Sequence, residues 1–151
     1  QAQREWGAAE GYYRQALALK VEFNDRYSQA STLHQLGRVA QAQREWGAAE
    51  GYYRQALAIY VEFNDRYEQA GTLHQLGLLA EVQGTIPAAT DYLLQALAIF
   101  RDFQDEHSLA ITLGNLARIW RAANDPTLPG RAAAVLGLTA DEVVSLFSQA
   151  A

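Results

Sequence analysis

Two histidines are the first residues whose spacing suggests chemistry. His34 and His74 stand in the same phrase, Thr-Leu-His-Gln-Leu-Gly, one 40-residue block apart. Imidazole serves as a metal ligand and as a proton carrier near neutral pH. A shared metal ion needs its ligand atoms at about 2 Å, whereas packed helices lie about 8–10 Å apart axis to axis. The next position in this row is Gly114, and His107 falls at a helix start, off the row. The spacing predicts a polar lining rather than a metal centre.

The carboxylates come next. Asp25, Asp65 and Asp105 recur ahead of helical runs, where capping accounts for them. Glu5, Glu10, Glu22, Glu45, Glu50 and Glu62 recur with the block and read as a solvated face. An acid/base pair needs two carboxyls in unequal surroundings, and duplication supplies equal ones. The chain has no cysteine, no glycine-rich phosphate loop, and no serine or threonine joined to histidine in a nucleophile motif. Neither catalysis nor a cofactor is expected. Trp6, Trp46, Tyr12, Tyr13, Tyr52, Tyr53, Phe23 and Phe63 could stack on bases, but they occupy repeat-matched helix positions, where packing is the expected role.

Composition narrows the partners. Of 151 residues half are hydrophobic, so a sizeable core is possible, and the net charge is −5. Without a basic excess, nucleic acid and anionic membrane are not expected partners. No apolar run approaches the roughly 20 residues of a membrane span. The lack of cysteine fits a reducing compartment, and a cytoplasmic location is expected. The sequence opens at Gln1 in mid-pattern, as expected of a piece of a longer protein.

These side chains must be positioned by a repeat. Blocks 1–40 and 41–80 differ only at positions 19, 20, 28, 31, 38 and 39 of the first, leaving 34 of 40 identical; block 81–120 keeps the frame more loosely. Trp46, Ala49, Tyr53, Ala56, Leu57 and Tyr60 follow helix spacing, and so do Ala70, Leu73, Leu76, Gly77 and Ala80. Asp65 with Glu68 resembles a capping box. Gly84 and Pro87 mark a helix exit and the next entry. The frame predicts first helices at 26–43, 66–83 and 106–123 and second helices at 46–63 and 86–103. Residues 1–5 are expected to end a first helix, separate from a second helix at 6–23. After a turn cluster at 124–130, a short helix over 131–136 and a last helix capped by Thr139 should close the stack. The predicted architecture is all-α, about seven long helices and a cap, with a repeat array over 1–123 and capping helices over 124–151.

The small and aromatic residues carry a resemblance. Leu36, Gly37, Ala49, Tyr53 and Ala56, then Leu76, Gly77, Ala89, Leu93 and Ala96, then Leu116, Ala117 and Trp120 are similar to the signature of the tetratricopeptide repeat family. The repeat here is 40 residues instead of 34 and lacks the closing proline. Long repeats of this kind resemble those of bacterial signal-transduction ATPases with numerous domains, related transcriptional regulators and kinesin light chains; the phrase "QALAI…DR" looks most like the first.

The resemblance implies a right-handed α-α superhelix that binds a protein or peptide in a concave groove, as the arm of a multidomain bacterial regulator. It implies groove positions at Ser31, His34, Gln35, Arg38 and Gln41, at Gly71, His74, Gln75, Leu78 and Glu81, and at Ile111, Asn115, Arg118 and Arg121. Arg38, Arg118 and Arg121 point to an acidic ligand. Of the lysine/asparagine clamp that some family members use for a terminal carboxylate, only Asn115 matches. A structural, self-assembling role is the alternative: Trp6, Ala9, Tyr13, Ala16 and Leu17, equivalent to buried residues one block later, should be partly exposed and drive self-association, end to end or by helix exchange.

Overall fold

The computed structural model describes residues 2–22 and 25–150, which form eight helices: α1 (Ala2–Glu22), α2 (Arg26–Ala42), α3 (Trp46–Glu62), α4 (Arg66–Val82), α5 (Ile86–Asp102), α6 (Glu106–Ala123), α7 (Leu128–Leu136) and α8 (Ala140–Gln149). Among the described residues there is no strand. The starts of α2, α4 and α6 keep the 40-residue frame, because each entry carries the same cap. The carboxylates of Asp25, Asp65 and Asp105 accept from the backbone N–H groups of Ser28, Glu68 and Ser108 at 3.2, 3.1 and 3.1 Å.

The exits recur as well. The N–H groups of Glu45, Asp65, Thr85 and Asp105 reach back to the carbonyls of Ala40, Tyr60, Ala80 and Phe100 at 2.8–3.0 Å, the long-range bond of a Schellman turn. That turn requires one left-handed residue, supplied by Arg44, Asn64, Gly84 and Gln104. Only Gly84 adopts it without a steric cost.

Consecutive helices pack antiparallel. Leu36, Leu76, Ala49, Tyr53, Ala56, Ala89 and Ala96 are all buried. The closest approach is at the Leu-Gly pairs. A Cβ on Gly37 would stand 2.6 Å from the Tyr53 ring, and one on Gly77 2.8 Å from Leu93 Cγ. Glycine is required there by the neighbour's bulk. At the far end Phe147 and Val143 of α8 are fully buried with Leu116 and Ala117 of α6. The Phe147 ring lies 5.5 Å from that of Trp120. Thr139 and Glu142 form the complete capping box that starts α8.

Three expectations are corrected. Among the described residues there are six long helices where about seven were expected. The short helix begins at Leu128 rather than at 131, since Leu128 and Pro129 are themselves buried and Pro fits the first turn. The break expected after residue 5 does not occur: α1 runs through Arg4 and Glu5, although the same residues at Arg44 and Glu45 form a turn. A left-handed arginine costs about 1–2 kcal/mol. At Arg44 antiparallel packing of α3 on α2 returns that cost. At Arg4 the Trp6–Tyr13 face borders an open cleft, with α2 across it, in place of a closely packed helix, and the helix continues through this stretch.

Leu36→Asp or Leu76→Asp is expected to unfold the stack cooperatively, because an unpaired buried charge costs about 3–5 kcal/mol. Gly37→Val should cost about 1–3 kcal/mol through overpacking against Tyr53. Urea melts check both; midpoints unchanged from the parent would show that these residues do not lie between helices.

Candidate functional site

The predicted groove residues lie on α2, α4 and α6, and cross-helix hydrogen bonds tie them together. His34 Nδ1 is bonded to Thr72 Oγ1 at 3.1 Å. One repeat on, Asn115 Nδ2 donates to His74 Nε2 at 2.8 Å. Each histidine therefore links its helix to the next first helix. Burial lowers the His34 pKa to about 4, with the Arg38 charge adding to the effect. His74 is shifted down for the same reason, with Arg118 nearby. The Asn115 N–H can only donate, so His74 Nε2 carries no proton in this bond.

The arginines differ among themselves. Arg118 is engaged by Glu81 at 2.6 and 3.0 Å and by Asn115 Oδ1 at 2.8 Å. Arg121 donates to the Phe147 carbonyl oxygen at 2.7 Å, so it holds the cap helix. Arg38 is exposed and meets Gln35 Oε1 at 3.4 Å. Gln41 Oε1 accepts the Tyr53 hydroxyl at 2.7 Å. Gln35, Gln75, Leu78 and Glu81 are half-buried along the same wall. Two hollows of about 220 and 190 Å³ share His34 and Gly71 as lining. A Cβ on Gly71 would meet nothing within 4 Å.

The helix edges carry a ladder that sequence reasoning missed. Arg26 pairs with Glu62 at 2.9 Å and Arg66 with Asp102 at 2.7 Å. The Tyr27 hydroxyl donates to Asp65 and the Tyr67 hydroxyl to Asp105. The Tyr27 and Tyr67 rings lie 5.4 and 5.3 Å from those of Phe63 and Phe103. The signal was present in the sequence: an Arg-Tyr pair followed 38 residues later by aspartate, twice. In the third block Glu106-His107 replaces Arg-Tyr and the ladder ends.

The aromatic expectation holds for Tyr53, which is fully buried, and for the half-buried Trp46 and Tyr52. It fails for Tyr12, which is 67% exposed on the outer face of α1. Phe63 is only partly covered, by Tyr27. Phe23 lies outside the described residues. Of the residues expected at the open face, Trp6 is 39% exposed, and Ala9, Tyr13, Ala16 and Leu17 are half-buried, whereas Ala49, Tyr53 and Ala56 one block later are fully buried.

Residues 1–61 match the tetratricopeptide repeat family. No curated protein shows significant sequence similarity to the chain. Among solved structures, BtubC (BKLC) from P. vanneervenii is similar with a TM-score of 0.76 and 23% identity, covering 96% of this chain and 57% of that one. The chain thus spans little over half of BtubC. The nearly identical TPR-like repeats of a candidate kinesin light chain from Podosopora anserina match with a TM-score of 0.73 and 20% identity, over 99% of this chain and 71% of theirs. A point variant of those repeats gives 0.73 and 19%, over 97% and 70%. These likenesses establish a tetratricopeptide-like helical solenoid. No described helix is long and apolar enough to cross a membrane.

The histidine row makes stability depend on pH. Between pH 6.5 and about 4 the unfolded chain protonates a histidine that the folded chain keeps neutral. Stability is therefore full above pH 6.5, falls as pH drops through this window, and levels off below the folded pKa. His34 accounts for a loss on the order of 2 kcal/mol across it. The capping aspartates Asp25 and Asp105 are shifted down instead, so their contribution is lost only below their ordinary pKa of 3.8. Thermal melts of the parent and of His34→Gln from pH 7.5 to 4.5 check this: the parent Tm should fall more steeply. Parallel slopes would show that His34 titrates as an ordinary surface histidine.

Proposed function

We propose that this chain is a peptide-binding scaffold whose wall of first helices, α2, α4 and α6, receives an extended segment of a partner protein. Tetratricopeptide repeats generally serve as protein–protein interaction scaffolds, and the match over residues 1–61 supports that class. The observation that carries the finer reading is the row His34, Gln35, His74, Gln75 and Asn115. Its imidazoles are fixed by cross-helix hydrogen bonds, one of them from the Asn115 amide, and the amides of Gln35 and Gln75 line the two hollows. Groups held in place before binding lose little entropy when a ligand arrives. Amides at one-repeat intervals suit the alternating N–H and C=O groups of an extended backbone.

The acidic preference narrows to one position. Arg118 is already neutralised by Glu81, and Arg121 serves the cap. A ligand carboxylate is therefore received at Arg38, near the N-terminal end of the wall. The narrower placement, in the arm of a multidomain bacterial regulator, is supported only by the "QALAI…DR" phrase.

Selection of binders from a random peptide library tests the proposal. Gly71→Leu fills the shared hollow without a steric clash, so it should preserve or raise the Tm while weakening selected peptides about tenfold or more. Arg38→Glu should remove any preference for Asp or Glu at one peptide position. Peptides that bind both variants as well as the parent would place the contact elsewhere.

A further inference from the structure

Blocks 1–40 and 41–80 are a control for each other, because only six positions distinguish them. Two of the six exchange one aliphatic side chain for another, Leu19 for Ile59 and Val39 for Leu79. The other four change chemistry: Lys20 to Tyr60, Ser28 to Glu68, Ser31 to Gly71 and Arg38 to Leu78. Three of these four meet at one place. The hollow of about 220 Å³ is lined by Ser31, Tyr60, Glu68 and Gly71, with the repeated His34 and Gln35.

This hollow collects hydrogen-bond acceptors. Glu68 lies in the first turn of α4, where its backbone N–H serves the Asp65 cap. Its carboxylate forms no ion pair or hydrogen bond among the described residues. Tyr60 is only 4% exposed, yet its hydroxyl has no partner among the described residues either. Burial, with the Glu68 charge nearby, pushes that hydroxyl up to about 12. One repeat earlier an ammonium occupies the corresponding corner. Lys20, at the Tyr60 position, donates to the Ser28 carbonyl oxygen and to Thr32 Oγ1, and these two residues correspond to Glu68 and Thr72. The second block thus replaces the cation by a hydroxyl and adds a carboxylate.

The next hollow along the wall, of about 190 Å³, is the same site one repeat on, with Gly71, His74, Gln75, Phe100, Ser108 and Ile111 in its lining. Phenylalanine stands there for Tyr60, serine for Glu68 and an exposed isoleucine for Gly71. The carboxylate and the phenol hydroxyl are gone, and apolar surface takes their place.

We infer that the Glu68 hollow receives a lysine side chain of the bound segment, and that the Phe100–Ile111 hollow beside it receives an apolar one. This rests on the reading of the wall as a groove for an extended segment, and it names side chains that the segment carries. Acceptors on three helices, α2, α3 and α4, suit the three donors that an ammonium spreads around one nitrogen. A guanidinium pairs best with a carboxylate in its own plane. The chain's one lysine, Lys20, is already held by α2 and does not serve this hollow. The two hollows share His34 and Gly71, so the two side chains come from neighbouring positions on one face of the extended segment.

Peptides selected from the random library are the probes. Lysine at one position and an aliphatic or aromatic residue at a fixed offset from it are expected. Replacing that lysine by norleucine keeps the four-carbon chain and removes the ammonium. It should weaken binding to the parent about fivefold or more, and binding to Glu68→Gln hardly at all. Glu68→Lys should recover affinity for the peptide in which glutamate replaces the lysine, a charge exchange that a purely structural Glu68 would not show. Because Glu68 is exposed, these variants should keep the parent Tm. Three outcomes overturn the inference and leave the groove standing, provided the peptides still lose affinity for Gly71→Leu. The first is selection without lysine, the second is selection of arginine in its place, and the third is an equal norleucine effect in the parent and Glu68→Gln. Peptides indifferent to Gly71→Leu would overturn both readings.

Discussion

The contact between a glycine on one helix and a bulky side chain on the next sets the geometry of the whole stack. Gly37 lets Tyr53 lie against the backbone of α2, and Gly77 does the same for Leu93 against α4. A helix pair brought this close buries its alanines completely, Ala49 and Ala56 in one repeat and Ala89 and Ala96 in the next. The apolar area removed from water then comes from backbone and Cβ atoms as well as from large side chains. The interhelix spacing also decides where the neighbouring first helix falls. His34 can reach Thr72, and His74 can reach Asn115, only because every hairpin repeats the same close approach. The site is a consequence of the packing: two glycines fix the pitch, and the pitch brings side chains about 40 positions apart into hydrogen-bonding range.

The same sequence takes two local structures here, which shows what local signals can and cannot decide. Gln-Arg-Glu-Trp is a turn followed by a helix start at 43–46, yet it lies within a continuous helix at 3–6. Its residues have adequate helix propensity, and nothing in them prohibits either outcome. The turn at Arg44 exists because packing of α3 on α2 outweighs the left-handed conformation. Most of the fold was nevertheless legible, because period and caps agree with packing elsewhere. Asp25, Asp65 and Asp105 give the starts of three helices, and the leucine-glycine pairs mark their buried faces. The element boundaries that were misplaced, at Arg4 and at Leu128, are places where no repeated neighbour constrains the chain in the same way.

The candidate site was legible at a coarser level. Sequence periodicity assigns a residue to a face of its own helix, and His34, Gln35, His74, Gln75 and Asn115 do share a wall. It does not identify the partner a long side chain selects. Arg38, Arg118 and Arg121 looked alike from their spacing, yet one is exposed, one is paired with Glu81 and one holds the Phe147 carbonyl. The difference arises from residues that break the repeat: glutamate at 81 where the second block has Gln41, and a cap helix that has no counterpart between the hairpins. The Tyr27–Asp65 and Tyr67–Asp105 links show the converse. Their regular offset was readable in the sequence, because both members of each pair recur with the block.

The third hairpin departs from the repeat at several points that act together. On α6 the position of the packing glycine is taken by Ala117, and the ring that rests near it, Phe147, comes from the short α8, oriented by a complete capping box and by Arg121. His107 in place of tyrosine stops the edge ladder at the same hairpin. Substitutions at several points of one repeat thus agree in replacing the contacts of an interior hairpin with contacts to α8. Block 1–40 shows no such adaptation. It keeps the tryptophan, alanines and tyrosine of an interior unit almost unchanged, so the α1 surface retains the shape and chemistry that an adjacent first helix fits.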